Sequence, residues 1–354
     1  MSNNEILVKP DTLQTFLAEL FTAGGMPPAD GAYAAQCMVQ TNLWGIDSHG
    51  VLRVPIYLQR LRSGTVNAAP NIKIVKGAMG LEVVDGDAGL GYIVGREAMN
   101  RAIQLAEQYN IGMVGAINSN HFGAAALFAR MATEQGMLAI VMTNVIPNIV
   151  APGGGKPITG NNPIAFAAPT FGEFPFMLDI SLSNVAGGKL LLASKEGKKI
   201  PLDWATDKDG RPTDDPAAGF AGFLLPVGGH KGLGLSYFVD ILAGVITGGA
   251  FQFNIKSMYK HADAPSRTAH QMIVINPQAI MSQDELKSRM SDFYQTIKSS
   301  PMWDESKEML LPGELEHRTE QARRQSGIPI PANLLEELQT LAAELKVSTP
   351  LNAG

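Results

Sequence analysis

The spacing of apolar residues changes near residue 70, and this change constrains the fold more than any other feature of the 354-residue sequence. Up to that point, capping residues and glycine stops frame three predicted helices, at about residues 11–24, 28–43 and 53–62. Beyond it, short β-type runs separated by glycines predict strands at residues 72–75 and 81–85. We therefore expect a helical region followed by a domain of different architecture.

Strands and helices alternate through the middle of the chain. The pattern predicts helices at about residues 93–108 and 124–134, and strands at residues 113–117, 138–142, 164–167, 176–179 and 272–275. This alternation is typical of an α/β or α+β domain. A charged helical segment follows from residue 282, and its last amphipathic helix, at residues 332–346, is expected to pack back on the N-terminal helices.

Charge and cysteine content exclude several classes of protein. The net charge is −5 and Lys and Arg are scattered, so nucleic acid is excluded as the main partner. Cys37 is the only cysteine, which excludes an intrachain disulfide and fits a reducing cytoplasm. The N-terminus lacks the features of a signal peptide, and the longest apolar run, residues 232–253, suits a buried helix better than a membrane span. We expect a soluble, cytoplasmic protein with no membrane partner.

Two glycine-rich segments partly match nucleotide-binding motifs, but neither has the full pattern. Residues 89–95 follow a predicted strand and open a helix, but the third glycine comes one residue late and the next strand ends in Ile117-Asn118 without a ribose-binding acid. Residues 153–156 fail as a phosphate loop because Pro157 replaces the hydroxyl residue. The six histidines show no paired spacing with a carboxylate, so no metal site is expected.

A polar segment at residues 45–55 interrupts the apolar N-terminal helices. If a helix begins at Asp47 or Ser48, His49 and Arg53 lie four apart on one helical face, where one could exchange a proton and the other hold a carboxylate. Taken alone, these residues favour the plainer interpretation, in which Asp47 and Ser48 cap the helix and Arg53 is a solvated charge.

Two further segments carry residues that fit chemistry on a ligand. His121 lies where a strand ends and a helix begins, and a neutral imidazole there could exchange a proton with a hydroxyl group. The turn at residues 228–232 places Lys231 at a helix start, where free amides favour an anion such as a cofactor phosphate. The alternatives are a cap or core histidine and an exposed lysine in a tight turn.

Taken together, six ordered segments make the chain resemble the malate/L-lactate dehydrogenase family, which also includes sulfolactate and ureidoglycolate dehydrogenases, diketogulonate reductase and piperideine/pyrroline-2-carboxylate reductase. They are Asp-Ser-His-Gly-Val-Leu-Arg at residues 47–53, Asn-His-Phe-Gly at 120–123, Gly-Asn-Asn-Pro at 160–163, the run from Asp179 to Ser183, Gly-His-Lys-Gly at 229–232, and Leu-Pro-Gly-Glu at 311–314. The resemblance spans nearly the whole chain.

The resemblance implies a non-Rossmann α/β (α+β) fold and a homodimer whose active site is completed across the interface. It implies a helical domain from residues 1–70 and 300–354, and a central cofactor- and substrate-binding domain at residues 71–299. By position, His121 and His49 match catalytic histidines, and Ser48 and Arg53 match substrate contacts. The matching cofactor contacts are Asp179, Ile180, Ser181, Leu182, Ser183, Asn184, His230, Lys231, Gly313 and Glu314. Many members carry a bulky residue where Gly187-Gly188 stands, and His230 has no secure role.

These features lead us to expect an enzyme that transfers hydride between NAD or NADP and C2 of a small 2-hydroxy or 2-oxo acid. Arg53 would hold the carboxylate and a histidine would exchange the proton, with His121 preferred slightly over His49. The alternatives are a cyclic-imine reductase and, in a different class, a non-catalytic metabolite-binding protein.

Overall fold

The computed structural model describes residues 5–261 and 263–351, which contain eleven α-helices and thirteen strands. The expectation about the N-terminus falls mostly on residues 1–4, outside these ranges. The helices are α1 (Pro10–Ala23), α2 (Pro28–Leu43), α3 (Val54–Arg62), α4 (Gly91–Tyr109), α5 (Ala126–Thr133), α6 (Gly187–Glu196), α7 (Pro216–Ala221), α8 (His230–Asp240), α9 (Gln283–Lys298), α10 (Glu314–Ser326) and α11 (Ala332–Leu345). The strands are β1 (Glu5–Val8), β2 (Lys73–Ala78), β3 (Leu81–Asp85), β4 (Ile111–Ser119), β5 (Leu138–Thr143), β6 (Ile149–Val150), β7 (Pro157–Thr159), β8 (Ile164–Ala168), β9 (Phe176–Ile180), β10 (Ala205–Thr206), β11 (Phe223–Leu224), β12 (Thr268–Ile275) and β13 (Ile328–Pro331).

A seven-stranded mixed sheet forms the centre of the molecule, in the order β2-β3-β4-β12-β5-β8-β9. Only the β3–β4 pair within it is parallel, and the other neighbours are antiparallel. A Rossmann sheet is mostly parallel, so the expected non-Rossmann α/β architecture is confirmed. The first five residues of β12 are buried because the strand lies in the middle of this sheet, whereas β2 is exposed at the edge.

The two ends of the chain meet in the helical layer. β1 pairs antiparallel with β13, with Glu5 opposite Pro331, and α11 packs against α1 and α3. The apolar core continues without a break from these helices into the sheet, through α4 and α5. The C-terminal segment therefore lies beside the N-terminal polar segment at residues 45–55.

A smaller four-stranded sheet, in the order β10-β11-β6-β7, contacts α7 through β10 and β11, and α8 through β7. A separate small apolar cluster lies in this part of the chain and is formed by Val185, Leu190, Ile200 and Ala205. Most of this unit is formed by the stretch of chain between β9 and α8.

Two local expectations were wrong. The segment at residues 47–53 is two 3-10 turns, Asp47–His49 and Val51–Arg53, separated by an extended Gly50, and α3 begins only at Val54. An added Cβ on Gly50 would lie 2.0 Å from Asn42 Oδ1, which accepts the Val51 amide, so the chain turns sharply there. Asp47 does not cap a helix, because Arg323 binds its carboxylate.

The apolar run at residues 232–253 is not a buried helix. It forms α8 and a π-helical turn, Ile241–Val245, and Leu235, Phe238 and Ile246 on its outer face are 52%, 54% and 56% exposed. The opposite face contacts the core through Val239, and Asp240 accepts a hydrogen bond from Thr159. No helix in the described part of the chain is long and apolar enough to cross a bilayer.

Candidate active site

Two histidines from distant parts of the chain meet at the boundary between the helical layer and the central sheet. His49 ends the first 3-10 turn, and His121 follows the end of β4 by two residues. Their rings are stacked, with centroids 5.5 Å apart and planes inclined by 25°. Both side chains are half-buried, so a ligand can reach them. The two predicted catalytic residues therefore form one site.

Each imidazole is oriented through its Nδ1 atom. Ser48 Oγ lies 2.8 Å from His49 Nδ1, and Tyr57 Oη lies 2.5 Å from His121 Nδ1. The backbone amide of Gly123 also donates to His121 Nδ1, at 3.3 Å. The Gly123 amide can donate only to an unprotonated Nδ1, whereas a hydroxyl group can donate to or accept from a ring nitrogen, so Tyr57 Oη can orient either tautomer. Nε2 is thus the ring atom left for proton exchange with a ligand.

Both histidines are held in the neutral form at neutral pH. Burial, together with the Arg53 charge, lowers the pKa of His49 to about 4. Burial also lowers the pKa of His121 well below its usual value, and the positive charge of Arg53 acts in the same direction. Desolvation and a nearby cation both disfavour an imidazolium. The free protein therefore presents two imidazole bases beside a guanidinium.

Arg53 supplies the positive charge of the site. Its Nε donates to the Ser48 carbonyl at 2.7 Å, and its guanidinium lies over the Tyr259 ring, 5.6 Å from the centroid. Among the described residues, no acceptor hydrogen-bonds its two terminal nitrogens. A guanidinium oriented in this way fits the bidentate geometry of a carboxylate.

Tyr57 and Tyr92 are functional residues that the sequence interpretation missed. Tyr57 is buried on α3, where it binds His121, and its ring meets the Tyr92 ring edge-on at 6.0 Å. Tyr92, at the start of α4, donates to the His49 carbonyl at 3.3 Å. The signal was present in the sequence, because Tyr57 follows Arg53 by four residues and α3 continues the segment of residues 47–53.

A buried layer supports the His121 segment from below. His270, on β12, binds Thr143 through Nδ1 and Ser119 through Nε2, both at 2.7 Å. Its ring stacks on Phe122, with centroids 4.3 Å apart and planes inclined by 5°. Burial lowers the pKa of His270 to about 3, so it is neutral and structural. The backbone that carries His121 is consequently rigid.

Most of the predicted cofactor segments are adjacent in space. Ser183 forms a β-bridge with Pro226, and the Val227 amide donates to the Leu182 carbonyl, so residues 181–184 run beside the turn that opens α8. Ser181 and Ser183 hydroxyls lie 3.2 Å apart, and Asn184 is tied to the Asp203 carbonyl. His230 and Lys231 are exposed on the first turn of α8, and Ile180 ends β9 on the same path.

The donor set at this turn fits an anionic cofactor. Gly228 and Gly229 have φ values of 60° and 64°, and no described atom lies within 4 Å of a Cβ added to either. This open, left-handed turn leads into the amides of the first turn of α8, the turn on which Lys231 lies, and such amides favour an anion. The cofactor role of this turn remains a prediction. No described atom lies within 4 Å of a Cβ added to Gly187 or Gly188 either, so the space that a larger side chain would fill at these positions is open.

Contacts within the chain engage Asp179, Gly313 and Glu314. Asp179 Oδ2 accepts the Ala126 amide at the start of α5, and burial raises the pKa of Asp179 to about 6. Gly313 packs against Met177 of β9 with φ +93°. Glu314 is buried and forms ion pairs with Lys298 and Arg318. The geometry gives these three residues structural contacts, and their cofactor role remains a prediction.

Comparison with known proteins identifies the family. The family profile described as malate/L-lactate dehydrogenase matches residues 8–339. A malate dehydrogenase from Pyrococcus horikoshii is 38% identical over 355 residues, covering 98% of each chain. The solved structure of a sulfolactate dehydrogenase from Methanocaldococcus jannaschii has a TM-score of 0.91 at 35% identity, covering 97% of this chain and 98% of that one.

More distant relatives span two cofactors and a second reaction. A (2R)-3-sulfolactate dehydrogenase (NADP(+)) from Chromohalobacter salexigens is 34% identical over 93% of this chain and 96% of its own, and a ureidoglycolate dehydrogenase (NAD(+)) from Escherichia coli O157:H7 is 29% identical over 94% of each. The structure of a Δ1-piperideine-2-carboxylate reductase from Pseudomonas syringae has a TM-score of 0.83 at 29% identity, covering 95% and 99%.

The mixed sheet, the paired histidines and these relatives define an NAD(P)-dependent oxidoreductase outside the Rossmann class. The chain belongs to the malate/L-lactate dehydrogenase family. The family resemblance inferred from the six sequence segments is thus confirmed.

Proposed function

We propose that the protein catalyses reversible hydride transfer between NAD(P)H and C2 of a small 2-oxo or 2-hydroxy acid. The observation that carries this proposal is the stacked His49–His121 pair, 5.5 Å between ring centroids, with the Arg53 charge close enough to lower the pKa of both rings. A carboxylate clamp beside a proton-transfer group is what a 2-hydroxy acid requires. The names of the relatives, which include malate and sulfolactate dehydrogenases, support the same substrate class.

Arg53 binds the carboxylate of the acid and fixes C2. Its Nε is held by the Ser48 carbonyl at 2.7 Å, so the guanidinium plane is set before substrate arrives. A bidentate, charge-assisted pair then orients the substrate at little further entropic cost. Ser48, whose hydroxyl also binds His49, couples this clamp to the imidazole.

His121 exchanges the proton at the C2 oxygen. When bound, the nicotinamide cofactor supplies or accepts the hydride at C2. In oxidation, the His121 tautomer that donates its Nδ1 proton to Tyr57 Oη takes the hydroxyl proton through Nε2 as the C–H bond of C2 breaks and C=O forms; in reduction, the imidazolium returns it to the developing alkoxide. His121 is preferred over His49 because the buried Tyr57 hydroxyl orients its ring, whereas His49 is held by an exposed serine.

Binding of the acid changes the pKa of His121, so that the residue can serve in both oxidation and reduction. The pKa of His121 is low partly because of Arg53, and a bound carboxylate offsets that guanidinium charge. The pKa of His121 therefore rises when the acid binds, which makes an imidazolium accessible for reduction. The proposal includes NAD or NADP as cofactor, held at Ser181–Asn184 and Lys231, a homodimer as the assembly and the cytoplasm as its location.

Kinetic comparison of variants tests these roles. Purified protein is assayed for NADH and NADPH oxidation with pyruvate, oxaloacetate, sulfopyruvate, diketogulonate and oxalurate, and then as the His121→Asn and His49→Asn variants. We expect turnover with at least one 2-oxo acid and a fall in kcat of about a hundredfold or more in His121→Asn. Full turnover in both variants would refute the mechanism.

A cyclic-imine reductase is the second candidate, because a piperideine-2-carboxylate reductase shares the fold over 95% of this chain. Hydride would then go to C=N of a ring carboxylate, with the same arginine clamp. Adding piperideine-2-carboxylate to the assay separates the two. Binding of NADH without oxidation by any of these compounds would favour a non-catalytic metabolite-binding protein.

A further inference from the structure

Arg60 is a buried cation that the proposed reaction does not use. It lies on α3 and is 1% exposed, yet its guanidinium is bound by four neutral oxygens. These acceptors are the carbonyls of Met258, His261 and Ala264, at 3.4, 3.4 and 3.0 Å, and Asn120 Oδ1 at 3.2 Å. Burying a charge is costly unless such partners are preserved, so this arrangement is a specific one.

Two of the three carbonyls, those of Met258 and His261, belong to the segment whose Tyr259 ring contacts Arg53, and the Ala264 carbonyl follows it. We define the Tyr259 turn as residues 257–261, in which Ser257 Oγ accepts the amides of Tyr259 and Lys260 at 3.3 and 3.2 Å. The Tyr259 side chain is 55% exposed and stands against the Arg53 guanidinium. Because Tyr259 is more than half exposed, we expect the backbone of the turn to determine where its ring lies.

The fourth acceptor connects Arg60 to the proton-transfer residue. Asn120 directly precedes His121, is 3% exposed, and also receives the Ser266 amide at 3.3 Å through Oδ1. Its Nδ2 donates to the carbonyls of Ala88 and Gly89 at 2.8 and 2.9 Å. One buried guanidinium thus joins two carbonyls of the Tyr259 turn to the side chain of Asn120, the residue before His121.

We propose that Arg60 is a positioning residue for acid selection: its guanidinium holds the Tyr259 turn beside Arg53 and so sets the wall that the substrate meets beyond its carboxylate. A lysine cannot reproduce this, because one ammonium cannot span carbonyls that a planar fork with five donors reaches. The inference rests on the proposed function for its substrate and deepens it by assigning a specificity segment.

Arg60→Lys tests the proposal, with Arg62→Lys as the matched control. Arg62 is on the same helix, but its side chain is 51% exposed and pairs with Glu344. We expect Arg60→Lys to raise the KM for the 2-oxo acid about tenfold, with kcat and the KM for the nicotinamide cofactor within about twofold. The control leaves all three unchanged. A fall in thermal stability with an unaltered acid KM would overturn the proposal.

Two measurements keep the test decisive. Tyr259→Leu, an exposed change that leaves the core intact, should raise the acid KM by a similar factor, and adding Arg60→Lys to it should have little further effect. Additive effects of the two substitutions on the acid KM would overturn the proposal. If Arg60→Lys does not fold, an unchanged acid KM in Tyr259→Leu would overturn it as well.

Hydrogen exchange at the backbone amides of Tyr259 and Lys260 is the second measurement. It should quicken in Arg60→Lys but not in Arg62→Lys, and unchanged exchange in Arg60→Lys would overturn the proposal. If the wild-type protein shows no turnover with any acid, the proposed function fails, but the hydrogen-exchange comparison still tests the role of Arg60 because it needs no turnover.

Discussion

Arg323 and Asp47 form an ion pair that joins helix α10 to the turn carrying His49. Arg323 Nη1 lies 2.6 Å from Asp47 Oδ1, and Nη2 lies 3.0 Å from Oδ2, which is a bidentate arrangement. Asn42 Nδ2 donates to the same carboxylate at 2.6 Å. This cluster stands where a helix cap was expected, and it fixes the direction in which Ser48 and His49 leave the turn.

Arg323→Gln should lower kcat/KM for the acid about ten- to a hundredfold, because the His49 turn loses its bidentate support and small misplacements of catalytic groups are costly. Steady-state kinetics measures this. Arg324→Gln is the control, since Arg324 pairs with Glu320 on its own helix. Equal effects in the two variants would contradict a specific role for the Asp47 contact.

Tyr57→Phe should lower kcat about tenfold or more while changing the KM for the acid less than about twofold. The hydroxyl at 2.5 Å from His121 Nδ1 is lost, and the ring no longer has its preferred orientation for proton exchange. Tyr109→Phe, at the exposed end of α4, should leave both constants unchanged. A larger change in KM than in kcat would assign Tyr57 to substrate binding instead.

The two directions of the reaction should respond differently to pH. In the free protein the pKa of His121 is well below 6.5 and that of His49 is about 4, so the bases needed for oxidation are already neutral. We expect kcat/KM for the 2-hydroxy acid to be level from about pH 8 to about pH 5 and to fall only below that. Reduction needs the imidazolium, so its rate should fall as pH rises. An oxidation profile that is half-maximal near pH 7 would contradict the lowered pKa values.

Lys231→Met should raise the KM for the nicotinamide cofactor about tenfold without changing the KM for the acid. The variant removes the ammonium beside the free amides of α8, where an anion is favoured. Lys287→Met, on the exposed helix α9, serves as the control. Cofactor titrations with NADH and NADPH check the effect, and an unchanged KM for both would remove Lys231 from the cofactor site.

Much of the architecture could be predicted because local pattern and burial agree. The runs at residues 72–75, 81–85 and 272–275 became strands β2, β3 and β12, and the amphipathic run at 332–346 became α11 within one residue of its expected end. The pattern failed at residues 47–53, where Gly50 and side-chain bonds from Asn42 replace helical geometry with two 3-10 turns.

The exposed face of α8 shows a second kind of failure. Apolar residues at positions 232–253 predicted burial, yet Leu235 and Phe238 are more than half exposed in the single chain. An apolar sequence predicts that side chains prefer burial, but it does not predict which surface covers them. The glycine-rich turn before α8 was recognised correctly as a helix start, because its positive φ values demand glycine whatever the packing.

The sequence by itself determined the element types, the failure of the Rossmann fingerprint and the chemical identities of His49, Arg53 and His121. Only the tertiary structure decided that Tyr57 orients His121 across 64 residues, that Arg60 binds the Met258 carbonyl 198 residues away, and that Arg323 binds Asp47 across 276. The physical reason is that periodicity and capping act within a few residues along the chain. Contacts between distant side chains are set by how the sheet and helices pack, and they leave no regular spacing in the sequence.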